Sequence, residues 1–293
     1  MLKQCVSTKT IPKRIVVMGA GGFIGASLVK TLKSSNIPFI ALTKKKMNLL
    51  DSKASDRLAD ILNADDTLVV ISAIAPCKNN EMLYKNILMM KAVCKAIEKQ
   101  QPKHLIYLSS DAVYADSPDS LTETSSAEPG SLHGAMHLCR EIMLKQVCTV
   151  PMALLRPSLI YGAEDTHNGY GPNQFLRLAL AGKEITIFGE GEEQRDHVYI
   201  EDVVNILLLV ILHCSEGVIN VATGSVVSFR EIAQMVSEYF NPNIIINTIP
   251  RVGPMPHNGY RPFDPSSCLT AFPEFNYTTF ANGLEITFKA LTH

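Results

Sequence analysis

Arg14-Ile15-Val16-Val17-Met18-Gly19-Ala20-Gly21-Gly22-Phe23-Ile24-Gly25 is the stretch on which the fold turns. An apolar, β-branched run stops at a cluster of glycines, and apolar residues then resume at helical spacing from Ala26 to Lys33. The reading is strand, glycine turn, helix. Gly19, Gly22 and Gly25 recur at every third position. In that context they let the chain turn tightly, let backbone approach a pyrophosphate and let helix pack on strand, while the helix N-terminus offers unpaired N–H groups and partial positive charge. A glycine triplet alone is a weak signal, but between a strand and a helix it points to a nicotinamide dinucleotide, with Phe23 and Ile24 at the same turn.

Outward from this turn, strand and helix patterns alternate. Phe39 to Leu42 reads as a strand, Ser52 to Asn63 as a polar helix, Thr67 to Ile74 as a buried strand and Glu81 to Lys99 as a helix free of Pro and Gly. Leu105 to Leu108 is a further strand and Leu132 to Val147 a further helix. Such alternation implies parallel pairing through right-handed crossovers, hence an α/β fold with a doubly wound (Rossmann) sheet over the first 160 or so residues. Beyond Pro157, residues 162–196 and 250–265 are rich in turn formers and are expected to be loop-dominated. Between them Ile200 to His213 reads as a helix, Gly217 to Ala222 as a strand and Ser228 to Tyr239 as a helix. The expected organisation is a dinucleotide-binding domain over 1–165 to which 198–224 returns, and a smaller, loop-rich C-terminal substrate lobe from 166–197 plus 225–293.

Composition narrows the partners. The 293 residues are 46% hydrophobic with a net charge of −1, which allows one sizeable core and gives no basic block for a nucleic acid backbone. Apolar runs such as Ile206 to Leu212 are far short of the ~20 residues that span a bilayer, and no secretory apolar region precedes Arg14, so a cytoplasmic protein without membrane partners is expected. Seven cysteines, none in a CxxC pair, speak against a structural zinc site and against a disulfide framework. The second strand ends in Leu42-Thr43-Lys44-Lys45-Lys46, where an acidic residue would meet the ribose 2′-hydroxyl of NAD. Lysines suit a 2′-phosphate, which favours NADP over NAD; a solvated basic loop is the plainer alternative.

The ordered motifs carry a resemblance. The glycine turn is followed by Asn86-Ile87, Ser109-Ser110-Asp111-Ala112-Val113-Tyr114 and Arg156-Pro157-Ser158-Leu159-Ile160-Tyr161-Gly162. Phe188-Gly189-Glu190-Gly191, Arg195-Asp196-His197-Val198-Tyr199-Ile200-Glu201-Asp202-Val203 and Asn220-Val221-Ala222-Thr223-Gly224 continue the series. Over about residues 14 to 290 the chain resembles the extended short-chain dehydrogenase/reductases, in the NAD-dependent epimerase/dehydratase branch whose members act on nucleotide-linked sugars. The resemblance implies that Ser110 and Asp111 lie at the nicotinamide and the sugar, and that Asn86 supports the fold near the site. By the same resemblance Ala73 and Ala75 line the cofactor trough, and Asn173 and Arg195 hold the nucleotide diphosphate; Thr43, Lys44 and Asn48, after the second strand, are further cofactor-binding candidates. Arg261, in the proline-rich segment, is a further phosphate candidate because its planar fork suits a diphosphate.

One departure from the family pattern matters most. The family's catalytic Tyr-x-x-x-Lys pair matches Ser131-Leu132-His133-Gly134-Ala135-Met136-His137, so His133 stands for the tyrosine and His137 for the lysine. None of the nine tyrosines has a lysine four residues later. Three readings follow. His133 is the acid/base, since histidine titrates near neutrality, with His137 at the nicotinamide ribose; or the two histidines, one helical turn apart, bind a metal with Asp111 as the only obvious third ligand, a shell too incomplete for a metal site to be expected; or the proton chemistry is lost and a non-catalytic dinucleotide-binding regulator or assembly subunit remains. Asp111-Ala112 lacks the second carboxylate that resembling dehydratases carry, which leaves epimerisation or reduction of a ketosugar. A homodimer is expected only as the commonest oligomer.

Overall fold

The computed structural model describes residues 2–292. The chain alternates as the sequence implies, through β1 (Arg14–Met18), α1 (Phe23–Ser34), β2 (Phe39–Leu42), α2 (Ala54–Ile61), β3 (Asp66–Val70), α3 (Asn80–Lys99), β4 (His104–Leu108), α4 (Leu132–Val147) and β5 (Met152–Pro157). The β6 (Leu159–Tyr161), α5 (Pro172–Leu180), β7 (Ile185–Phe188) and β8 (Gln194–Tyr199) elements follow, then α6 (Ile200–Leu212) and β9 (Gly217–Val221). The last elements are β10 (Val226–Ser228), α7 (Phe229–Phe240), β11 (Ile246–Ile249), β12 (Tyr260–Arg261), α8 (Ser266–Ala271) and α9 (Phe280–Thr292).

A six-stranded parallel sheet runs in the order β2-β1-β3-β4-β5-β9. Its strands are apolar without alternation because both faces are covered. Successive residues serve opposite faces: Ile15, Val17, Val69, Ile106 and Leu155 pack with α1 and α6, whereas Val16, Met18, Leu68, Val70, Tyr107 and Leu154 pack with α2, α3 and α4. The chain leaves β1 toward β2 on one side and then runs through β3, β4 and β5 on the other. The order therefore reverses between β1 and β3, and a crevice opens at their carboxyl ends.

The second region is less regular. β8 pairs with β6 and β12 in parallel and with β10 antiparallel, and β7 pairs with β11. Phe175, Leu176, Ile185, Ile187, Phe229, Ile232, Val236 and Leu284 form its own apolar core beneath α5, α7 and α9. Asp196 on β8 ties the two regions together. It accepts hydrogen bonds from Ser158 Oγ at 2.6 Å, the Thr223 hydroxyl at 2.8 Å and the Gly224 amide at 2.8 Å, all at the carboxyl end of the large sheet.

One expectation needs refining and one correcting. Residues 162–196 are loop over slightly more than half of their length, as expected, but they also hold α5, β7 and the start of β8. The turn formers are there because Gly171, at φ 127°, precedes a helix that starts on Pro172, a residue whose missing N–H costs nothing at a helix start. The strand expected over Thr67 to Ile74 ends at Val70; the Ile71 amide still donates to Met18 O at 2.9 Å, but Ser72 to Ala75 line the crevice instead of pairing. No helix among the described residues is long and apolar enough to cross a membrane.

Candidate active site

One continuous cavity of about 1360 Å³ runs from the glycine turn, along the carboxyl ends of β1, β3 and β4, into the second region. Gly19, Gly22, Phe23 and Ile24 form its first wall. Gly19 sits at φ +89°, and a β-carbon there would come within 2.7 Å of the Ser72 backbone nitrogen. Gly22 caps α1 with no side-chain partner, so the first N–H groups of the helix stay open for an anion. Gly25 does not line the cavity. A β-carbon on it would run into the Gly19 carbonyl, so it is the packing glycine that seats α1 against the turn.

Thr43, Lys44 and Asn48 form the opposite wall, and Ala73 and Ala75 the floor. Lys44, Lys45 and Lys46 are exposed and have no carboxylate partner among the described residues. Asn48 is partly engaged, its amide donating to Asp51 at 2.7 Å. Asn86 lies behind the floor, fully buried. Its side chain accepts from the Ile74 amide and donates to Ile74 O and Met82 O, each at 2.9 Å, so it pins the unpaired extension of β3 to α3.

Ser110, Asp111, His133 and His137 meet at the middle of the cavity. Ser110 Oγ accepts from the Ala112 amide at 3.2 Å and so caps the short turn Asp111–Val113. The start of α4 is capped by Ser131, which accepts from the Gly134 amide at 3.1 Å. Gly134 brings helix and turn together: a β-carbon on it would overlap the Ala112 carbonyl oxygen. Farther along α4, Glu141 is fully buried, takes both Nε and Nη2 of Arg156 at 2.9 and 2.6 Å, and accepts from Ser109 Oγ at 2.6 Å. This buried fork holds α4 in register with β4 and β5.

The two histidine rings stand edge to face with centroids 4.7 Å apart. His133 Nδ1 accepts a long contact from the Cys77 amide at 3.4 Å, and His137 Nδ1 lies 2.7 Å from the Tyr107 hydroxyl. Burial pushes the His133 pKa below the ordinary histidine value, with Asp111 pulling the other way. His137 is held well below it by burial, by His133 and by Arg140. Both rings are therefore neutral near pH 7.

At the far end Asn173 and Arg195 line the cavity, together with His197, Tyr170 and the segment Pro254–Asn258. Asn173 is already engaged, donating to Asp165 at 2.8 Å and accepting from the Gly162 amide at 3.0 Å. Arg195 lies 3.4 Å from Glu193 and 3.9 Å from Asp111. Arg261 is placed differently from a phosphate ligand. It is 1% exposed, stands behind Asp111 outside the cavity lining, and donates from Nε to the Asp111 carboxylate at 3.0 Å, from Nη2 to the Asp111 carbonyl at 2.7 Å and from Nη1 to Asp116 at 3.1 Å. With Asp111 spent on two arginines, the third ligand of a histidine metal site is committed elsewhere. Among the described residues no three His, Cys, Asp or Glu side chains are grouped to hold a metal ion.

Sequence reasoning missed Tyr107, Arg140, Asp116 and His257. The signal for Arg140 was present, since it lies seven positions after His133 on the same helix face. Nothing local in the sequence marks the Asp116–His257 contact, which joins residues 141 positions apart.

The comparisons agree with this architecture. A family model described as the NAD dependent epimerase/dehydratase family matches residues 15–222. The chain belongs to that family. Among curated relatives of this epimerase/dehydratase chain, an uncharacterized UDP-glucose epimerase, YtcB, of Bacillus subtilis is 23% identical over 84% of this chain and 88% of its own. Among solved structures, the Thermus thermophilus UDP-glucose 4-epimerase in complex with NAD superposes with a TM-score of 0.82 at 22% identity, covering 95% of this chain and 99% of that one. A GDP-L-fucose synthetase from Naegleria fowleri superposes with a TM-score of 0.83 at 17% identity, over 98% and 96% of the two chains. At these identities the superpositions speak for the doubly wound fold.

Proposed function

We propose that this epimerase/dehydratase-family chain is an NAD(P)-dependent enzyme that epimerises a nucleotide sugar or reduces a ketosugar nucleotide, with His133 in the place of the family's tyrosine acid/base and His137 beside the nicotinamide ribose. The observation that carries this reading is the single unbroken cavity. It has a glycine-turn helix start at one end, the Asn173 and Arg195 side chains at the other, and Ser110 and the histidine pair at the junction. A dinucleotide and a second, sugar-bearing nucleotide fit end to end in such a cavity, with their reacting carbons meeting between Ser110 and His133.

The residues suit a dinucleotide. The close approach of Gly19 to the Ser72 backbone and the uncapped start of α1 make a pyrophosphate cradle that a side chain would fill. Lys44 to Lys46, exposed at the expected adenosine-ribose end, support NADP, while the solved Thermus relative carries NAD. The bound dinucleotide supplies or takes a hydride. This chain's own part is to orient the sugar with Ser110 Oγ and Arg195 and to exchange the hydroxyl proton at His133, which is neutral and accessible from the cavity. Asp111, clamped by Arg261, orders the turn that carries Ser110.

The second reading, a non-catalytic dinucleotide-binding regulator, is favoured by one observation: Arg261, the extra phosphate candidate, is consumed inside the protein. A panel of nucleotide sugars incubated with NAD and NADP in both redox states, read by mass spectrometry, separates the two. Isomerisation at constant mass identifies an epimerase and a gain of two hydrogens a reductase. No conversion across the panel, with dinucleotide binding shown by calorimetry, supports the regulator. His133→Phe is expected to lower turnover by about 10²–10⁴-fold, the usual worth of a general acid/base, while leaving dinucleotide affinity within about threefold; unchanged turnover removes His133 from the mechanism.

A further inference from the structure

Tyr107 projects from β4 into the packed layer beneath α4, with no exposed surface, and its hydroxyl has one partner, His137 Nδ1 at 2.7 Å. A phenol and a neutral imidazole can share such a bond in two ways. Either the phenol donates to Nδ1 and the ring proton sits on Nε2, or Nδ1–H donates to the phenolic oxygen. In the second arrangement the phenol's own hydrogen points into the core without an acceptor. Its charged neighbours there are Arg140, whose guanidinium carbon lies 5.2 Å from the tyrosine ring centroid and which has only donors to offer, and Glu141, whose carboxylate makes no hydrogen bond to the phenol and is taken by Ser109 and Arg156. Burial drives the Tyr107 pKa up to about 12, so the phenol keeps its hydrogen. The first arrangement is the one that satisfies both groups.

The other ring nitrogen is differently placed. His137 Nε2 makes no hydrogen bond among the described residues and is not one of the sealed, unpartnered atoms of the core, and the ring that bears it lines the cavity. Arg140 lies behind that ring, fully buried, with Nη2 on the Ser72 carbonyl at 2.6 Å and no carboxylate partner among the described residues. A fixed positive charge there opposes an imidazolium. It leaves a neutral ring with one defined donor.

We infer that Tyr107 is a positioning residue of this site: by donating to His137 Nδ1 it fixes the Nε2–H tautomer, which makes His137 a permanently oriented, uncharged hydrogen-bond donor to an oxygen of the bound dinucleotide. What the donor meets rests on the proposed function; the tautomer does not. A neutral donor of this kind polarises or orients an oxygen without transferring a proton, so His137 and His133 have separate duties although both are histidines on one helix face.

The test is a two-bond ¹H–¹⁵N correlation spectrum of the ligand-free protein labelled at histidine, with His137 assigned by its loss in His137→Gln. A pure Nε2–H pattern for His137 at neutral pH is expected; an Nδ1–H pattern or a mixture overturns the inference. Tyr107→Phe is expected to convert the His137 signal to a mixture of tautomers and to weaken dinucleotide binding about tenfold, the worth of one oriented hydrogen bond. His104, whose Nε2 is bonded to the Ser215 carbonyl at 2.8 Å, should be unchanged and reports that the sheet is intact. An unaltered Nε2–H pattern in Tyr107→Phe also overturns the inference. Should that variant not fold, 3-fluorotyrosine incorporation preserves the packing and sharpens the donor. The His137 Nδ1 resonance should then move in the direction of stronger donation, and a static resonance counts against Tyr107. Because the spectra need no substrate, failure of the nucleotide-sugar panel and failure of this inference are told apart.

Discussion

The glycine-turn end of the cavity is walled largely by backbone, whereas the arginine end is walled by side chains that reach one another across as many as 141 positions of sequence. A backbone wall tolerates the loss of side chains but not the addition of a single carbon. A side-chain wall behaves in the opposite way: it absorbs small additions and collapses when one charged member is removed, because the remaining buried charge loses its partner. The two ends should therefore fail by different substitutions and in different observables.

The largest effect is expected behind the side-chain wall, at the buried pair that supports it. Arg261→Met strips Asp111, only 6% exposed, of its nearest cation and should cost about 3–5 kcal/mol in chemical denaturation. A loss under about 1 kcal/mol would mean that Arg195, 3.9 Å away, takes over the pairing and that the support from Arg261 is redundant. At the other end Gly25→Ala forces a methyl against the Gly19 carbonyl. It should cost about 1–3 kcal/mol and push dinucleotide binding below calorimetric detection, because α1 has to move away from the turn. Retained affinity would show that helix and turn shift together without harm.

The histidine pair at the boundary gives a pH signature. Both rings have folded-state pKa values depressed below the unfolded value near 6.5, so the unfolded chain binds protons first as pH falls. Their contribution to stability is present above about pH 6.5 and is lost as pH drops through the folded values, and turnover should follow the same acid limb. Titration of stability with and without His137→Gln measures it, and a variant with an unchanged acid limb would assign the loss elsewhere. The smallest effect is expected at Lys44. Lys44→Ala should leave stability within about 0.5 kcal/mol but lower NADP affinity a few-fold relative to NAD, by about 1 kcal/mol. Unchanged affinity for both cofactors would make the lysines a solvated loop.

What the sequence disclosed follows the same division. The glycine turn, the alternation of strands and helices and the position of Ser110 and Asp111 after β4 were legible because each depends on residues close together in the chain. The helix α5 was hidden because Gly171 and Pro172 read as turn formers although they open it. Arg261 was legible as an arginine near the site and misjudged as to its target, since its partners Asp111 and Asp116 lie 150 and 145 positions away. Tyr107 was invisible for a related reason: in a strand buried on both faces it reads as one more core residue, and only the packing of α4 on β4 brings its hydroxyl to His137.

The contact between Gly134 and the Ala112 carbonyl bears on how such a site can change over generations. With no space for even a methyl group between helix and turn, α4 and the turn that carries Ser110 are locked as one body, so a change of chemistry at positions 133 and 137 has to come from exchanging side chains at fixed stations and not from shifting the helix.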